Sequence, residues 1–265
     1  MLVDSHAHVM PDRLAAAVRR FFEDHMGWGP LAYDGCALAD VVRAEREAGV
    51  ERFWALPYAH KGGIAAGVNE WMAVNVAPVP GAVAAATFHP DDDDLAALAR
   101  RAFDDLGLRA AKLHCAVGRF AADDPRLEPV WEAAEARGLP VVVHAGHDTS
   151  GRTHARELGP IARVAAAHPR LVLVVAHCGL PDAGATLDLL ERHPALHADL
   201  TSAAEWEAAL PLARIEALHE RLLFGSDCPN TTRPIGASIA WLRARGLGAP
   251  ALDAILGGNA MRLVP

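Results

Sequence analysis

The chain is poor in several of the features that would assign it quickly. Its four cysteines, Cys36, Cys115, Cys178 and Cys228, lie far apart with no Cys-x-x-Cys pair. That spacing offers no Cys-x-x-Cys pair of the kind that zinc ribbons and thioredoxin-like motifs use. Nothing resembling a signal peptide precedes Asp4, and no apolar run approaches the ~20 residues that span a bilayer. A reducing cytoplasm is therefore the expected location, with no membrane partner. Basic charge is scarce as well: the formal net charge is −8, with no Lys/Arg stripe, so nucleic acid is not expected to bind. No residue-level repeat, low-complexity linker or shift of composition marks a second domain. No glycine-rich phosphate loop follows the first apolar run, which counts against an open doubly wound sheet.

What is present is hydrophobic residue in quantity, 52% of 265, enough for one large core. The expected organisation is a single domain over residues 1–265, because barrels of alternating strands and helices reach ~250 residues as one unit. Short apolar runs recur at an even beat: Leu2 to Ser5, Arg52 to Pro57, Ala82 to Phe88, Ala110 to Leu113, Pro140 to Val143, Leu171 to Ala176, Leu196 to Leu200 and Leu222 to Ser226. Their near-continuous hydrophobicity suits strands buried on both faces of a parallel sheet, and eight is the number that closes a barrel.

Helical patterns fill the intervals: Leu38 to Glu47, Gly63 to Met72, Asp94 to Leu106, Asp124 to Arg137, Ala155 to Ala167, Ala183 to Arg192, Ala204 to Leu212 and Gly236 to Arg245, with Pro250 to Leu256 closing the chain. Asp124-Pro125 opens one of them and Gly138-Leu139-Pro140 ends it. The first connection, 9–35, is longer than the rest and carries Phe21, Phe22, Trp28 and Tyr33. It reads either as a lid over the barrel mouth or as an outer helix whose aromatics pack on the barrel side.

The polar residues sit at the ends of the runs. His6 and His8 follow the first and, being two apart in an extended segment, share a face. Lys112 and His114 mark the fourth run, His144 the fifth, His177 the sixth and Asp227 the eighth. In a parallel barrel all strands open at their carboxyl ends on one face, so these residues converge although distant in sequence. Imidazoles gathered there with a carboxylate point to a divalent metal site.

Asp-Ser-His-Ala-His at 4–8, Lys-Leu-His at 112–114, Val-Val-Val-His-Ala-Gly at 141–146, Ala-His-Cys-Gly at 176–179, Phe-Gly-Ser-Asp-Cys-Pro at 224–229 and Gly-Asn-Ala-Met-Arg-Leu at 258–263 together resemble the amidohydrolase superfamily. They are most similar to its amidohydrolase-2 branch, which groups small metal-dependent hydrolases with the aminocarboxymuconate-semialdehyde decarboxylase type. The resemblance runs from residue 4 to about residue 263. It implies a distorted (β/α)8 barrel with one divalent metal, zinc first, with Mn²⁺, Fe²⁺ and Co²⁺ compatible with the same donors.

Carried over by residue, the resemblance makes His6, His8, His144 and Asp227 the metal ligands. It puts His177 beside a water whose pKa the metal lowers. Asp227 becomes the candidate general base and acid, and Asp4 an outer residue that orients a ligand. Some superfamily members carry a carbamylated fourth-strand lysine bridging two metals. Here one metal is expected, with Lys112 as a substrate or structural charge.

Lys112, His114 and Arg152 are the candidate substrate contacts; Arg152 either pairs with a substrate carboxylate or is an exposed loop charge. The cysteines beside the motifs are expected to pack, and Asn230 and Asn259 to fix their loops through backbone hydrogen bonds.

The expected function is hydrolysis of an amide, ester or lactone by activated water. The alternative with the same ligands is non-oxidative decarboxylation of a small unsaturated or aromatic carboxylic acid. A non-catalytic binding barrel is the reading from another class. The expected partner is a small-molecule substrate, and homo-oligomers are compatible with such a barrel.

Overall fold

A computed structural model describes residues 1–25, 30–146 and 155–264. Eight parallel strands follow one another in spatial order: β1 (Val3–Ala7), β2 (Arg52–Ala55), β3 (Ala82–Thr87), β4 (Ala110–Leu113), β5 (Val141–Val143), β6 (Leu173–Val175), β7 (Leu196–Asp199) and β8 (Leu222–Leu223). The first and last do not form a regular ladder, yet the seam is bridged. Ser5 N donates to Phe224 O at 2.9 Å, Asp227 N to His6 O at 2.8 Å and His8 N to Cys228 O at 2.7 Å. The result is a nearly closed, single-domain (β/α)8 barrel. No helix among the described residues is long and apolar enough to cross a membrane.

Alternation along each strand separates two cores. Val3, Trp54, Val83, Ala85, Ala110, Val142, Val174 and Leu223 fill the barrel interior, all buried. Residues one step away, such as Ala55, Ala84, Ala111, Val141, Val143, Val175 and Ala198, meet the surrounding helices.

Those helices are α1 (Asp12–His25), α2 (Leu38–Glu47), α3 (Ala65–Trp71), α4 (Leu95–Arg100), α5 (Cys115–Gly118), α6 (Glu128–Arg137), α7 (Ala155–Ala167), α8 (Ala183–Arg192), α9 (Leu212–Ala217), α10 (Ile235–Arg243), α11 (Ala249–Asp253) and α12 (Asn259–Leu263). π-helical turns at Met72–Val76, Arg101–Asp105 and Ala254–Gly258 extend α3, α4 and α11. Local chemistry sets several ends. The Asp94 carboxylate accepts from Ala97 N at the start of α4, Asp124 accepts from Arg126 N, and Gly138 ends α6 at φ 61°.

The helix expected over Ala204 to Leu212 is absent. Its place is taken by turns and a single 3₁₀ turn at Glu207–Ala209, and α9 starts only at Leu212. Pro211 is the reason: it forces the preceding residue out of the helical region, and Leu210 sits at φ −93°, ψ 116°. Within the long first connection, Asp12–His25 is the helix α1. Ala15 packs with Met10 and Tyr58, and Tyr33 Oη accepts from Ile235 N at 2.8 Å. Trp28 lies outside the described residues.

The amino-terminal end of the barrel is plugged by α12, whose Ala260 packs with Val264, Val3 and Trp54. Buried Asn259 anchors this plug by donating to His219 O at 2.6 Å and Leu222 O at 2.5 Å. Replacing Asn259 with Ala removes both bonds and orphans two carbonyls. A loss of about 2 kcal/mol is expected, read as a lower denaturant midpoint with an unchanged slope.

Candidate metal centre

The site is built from strand ends. His6 lies in β1 and His8 one residue beyond it, and both rings are fixed from behind. His6 Nδ1 lies 2.9 Å from Asp199 Oδ2, and His8 Nδ1 lies 2.9 Å from Leu56 O. A carboxylate or carbonyl can only accept, so each Nδ1 carries the hydrogen and each Nε2 presents a bare lone pair inward. Burial, with the Lys112 ammonium adding to it, pushes the His6 ring down to about 3, so it is neutral.

Asp227 enters from the end of β8. His6 Nε2, His8 Nε2 and an Asp227 carboxylate oxygen lie within 4.8 Å of one another. Asp227 Oδ1 is 3.0 Å from His8 Nε2 and 3.7 Å from His6 Nε2, buried and without a hydrogen bond. Two acceptors facing at 3.0 Å repel unless a cation stands beside both. Two imidazole nitrogens and one carboxylate are the donor types a divalent ion takes. These three residues therefore fit a metal.

The backbone is bent to make this meeting possible. Asp227 sits at φ 66°, and His177 and Cys178, at the end of β6, at 57° and 48°. Side chains other than glycine rarely adopt this region, and such residues cluster at functional sites. Gly225 contributes space, since a Cβ there would lie 2.7 Å from His6 Cβ.

Asp199, at the end of β7, was not singled out from the sequence, yet it organises the centre. Oδ2 holds His6, while Oδ1 accepts from His177 N at 2.9 Å and Thr201 N at 3.1 Å. Burial alone would raise this carboxyl, but its pairing with His6 holds it far below the ordinary range. The available signal was its position: like the others, it ends an apolar run. Tyr58 was also missed. Its buried ring meets His8 at 5.3 Å and His114 at 4.9 Å, and burial raises its phenol well above the ordinary value.

The remaining expected residues fall around this group. His144 does not join His6, His8 and Asp227 at ligand spacing. Its ring stacks on His114 at 3.8 Å and meets His177 at 5.0 Å, and its Nε2 is buried without a hydrogen-bond partner. Burial, reinforced by the neighbouring rings, holds both His144 and His114 well below the ordinary imidazole value. His114 Nδ1 accepts from Val117 N at 3.4 Å, capping α5. His177 stands 4.9 Å from His6, ring centre to ring centre; burial lowers it against the pull of Asp227 and Asp199.

Lys112 is fully buried in β4, with Nζ 3.1 Å from His6 Nε2, and burial pushes it down to about 8. Asp4 grips backbone rather than a ligand ring. Oδ1 accepts from His6 N at 2.8 Å and Ser226 N at 3.2 Å across the seam, and burial raises the carboxyl to about 6. Cys115, Cys178 and Cys228 are buried free thiols, with Cys178 pushed up to about 12 by burial. Arg152 lies outside the described residues.

A (β/α)8 barrel that gathers imidazoles and a carboxylate at the carboxyl ends of its strands is the frame of a metal-dependent enzyme. The family model described as "Amidohydrolase" matches residues 3–265, and the chain belongs to that family.

Among solved structures, it is similar to a TIM-barrel protein of Bordetella bronchiseptica at 22% identity and TM-score 0.76, covering 99% of this chain and 97% of that one. It is similar to 5-carboxyvanillate decarboxylase of Sphingomonas paucimobilis at 19% identity and TM-score 0.69, covering 99% and 98%. A third, 5-carboxyvanillate decarboxylase of Novosphingobium aromaticivorans complexed with manganese and a nitrobenzoic acid, shares 13% identity at TM-score 0.73, covering 99% and 96%. No curated protein matches the sequence.

Proposed function

We propose that this protein is a divalent-metal-dependent enzyme that removes CO₂, without oxidation, from a small unsaturated or aromatic carboxylic acid. The observation that carries the reading is the charge inside the mouth. A dication at His6, His8 and Asp227 would stand beside the buried Lys112 ammonium, so that two cationic groups meet in a mouth that also holds the carboxylates of Asp4, Asp199 and Asp227. A substrate carboxylate would pair with the Lys112 ammonium at this mouth. The likeness in fold to the 5-carboxyvanillate decarboxylases of S. paucimobilis and N. aromaticivorans supports this reading.

The metal, when bound, supplies Lewis acidity toward a substrate oxygen. Lys112 and His177 orient the anion, and Tyr58 and His114 wall the pocket. When the carbon–carbon bond breaks, its electron pair stays on the substrate carbon. Asp227 passes a proton taken from solvent to that carbon, leaving CO₂ as the second product. His144, with Nε2 unpartnered, is the additional candidate donor to the metal. Both Zn²⁺ and Mn²⁺ suit this set, and elemental analysis of purified protein distinguishes them.

A panel of hydroxybenzoic and unsaturated acids incubated in D₂O tests the reading. CO₂ should appear in equal amount to a product carrying one deuterium at the vacated carbon. Hydrolysis of an amide, ester or lactone is the second reading. It is favoured by the family's description and by Asp227 Oδ1, free to take a proton from water. If the acids are untouched while a lactone or ester gains one ¹⁸O from labelled water, the decarboxylase reading is wrong.

A further inference from the structure

His6 Nε2 has one lone pair, and the ring cannot offer another. Nδ1 is bound to Asp199 at 2.9 Å, and the ring is fully buried. Lys112 Nζ, at 3.1 Å, donates to that lone pair. An imidazole nitrogen cannot accept a hydrogen bond and ligate a metal through the same pair of electrons. The two interactions are mutually exclusive.

The buried Lys112 side chain therefore meets the same His6 Nε2 that faces Asp227 Oδ1 at 3.7 Å.

Resting on the metal-centre reading above, we propose that Lys112 and the metal exchange at His6. The ammonium caps Nε2 until a divalent cation takes the lone pair, and the displaced ammonium then becomes the pairing group for the substrate anion. The inference concerns the order of events at one atom. It makes the lysine a competitor of the metal as well as a substrate contact, and it ties delivery of the cationic pairing group to metal loading.

The test uses purified full-length protein and Zn²⁺ alone. Lys112→Met keeps side-chain length and removes the charge. In a competition titration against a chelator, the variant should bind Zn²⁺ at least about tenfold more tightly, because a like charge beside the dication is gone. Its metal-free Tm should fall below wild type, while added Zn²⁺ raises Tm by more than in wild type. Zn²⁺ affinity equal to or weaker than wild type overturns the proposal.

If the variant does not fold, the wild-type chain decides, because Lys61 and Lys112 are its only lysines. With ¹⁵N-lysine, one equivalent of Zn²⁺ should shift the Lys112 ammonium resonance and leave that of exposed Lys61 in place. Saturation with Zn²⁺ and an unmoved Lys112 signal refutes the exchange while leaving the metal centre standing. Absence of saturable Zn²⁺ binding by wild type removes both. Two metals per chain with a carboxyl group added to Lys112 also overturns the exchange.

Discussion

Asp227→Asn lowers turnover by about a thousandfold while the protein stays folded. The carboxylate is placed both to ligate a cation and to carry a proton, being 3.0 Å from His8 Nε2 and without a hydrogen bond at Oδ1. Positioned proton transfer contributes factors of about 10² to 10⁴, and loss of one anionic ligand adds to the deficit through metal affinity. The fold survives because the backbone bond from Asp227 N to His6 O is independent of the side chain.

The metal-free variant should be at least as stable as wild type. An amide turned toward His8 donates to Nε2 and replaces two facing acceptors by a hydrogen bond. The checks are kcat on the substrate found by the acid panel, Zn²⁺ affinity and the metal-free Tm. Activity within tenfold of wild type takes Asp227 out of the chemistry.

Much of this architecture is legible in the sequence for a simple reason. Strands buried on both faces must be apolar throughout, so runs such as Val141-Val142-Val143 and Val172-Leu173-Val174-Val175 announce themselves. Where several of the runs meet the mouth, the chain turns abruptly polar, and that change of character marks His6, His8, His144, His177 and Asp227. One departure has a local cause. The pattern from Ala204 to Leu212 is helical in composition, yet Pro211 at its end redirects the backbone.

Asp199 was missed because its role is set by a partner 193 residues away, which no window of sequence contains. The role of Lys112 was ambiguous for a related reason. Spacing places a lysine in the barrel but does not say which atom a four-carbon side chain reaches, and it reaches His6 Nε2. The separation of His144 from the triad has the same origin. Strand parity sets which way a side chain points, while ring distances depend on stacking with His114.

Asp199→Asn and Asp199→Ala separate two duties of one carboxylate. Oδ1 receives two buried backbone N–H groups, those of His177 and Thr201, and an amide oxygen can keep both. Oδ2 receives His6 Nδ1–H, and there the amide presents an NH₂ group instead. Two donors cannot face each other at 2.9 Å, so His6 is driven to the tautomer with hydrogen on Nε2, and its lone pair turns away from the metal.

Asp199→Asn should therefore fold with Tm close to wild type but bind Zn²⁺ about 10- to 100-fold more weakly, the range for partners that orient metal-bound imidazoles. Its ¹⁵N spectrum should show a protonated His6 Nε2. Asp199→Ala removes the acceptor for all three donors and leaves the two backbone groups buried and unpaired, so a loss of about 2–5 kcal/mol is expected. If Asp199→Asn binds Zn²⁺ as wild type does, tautomer control is not what Asp199 supplies. The carboxylate would then serve only to brace the turn after β6 against the end of β7.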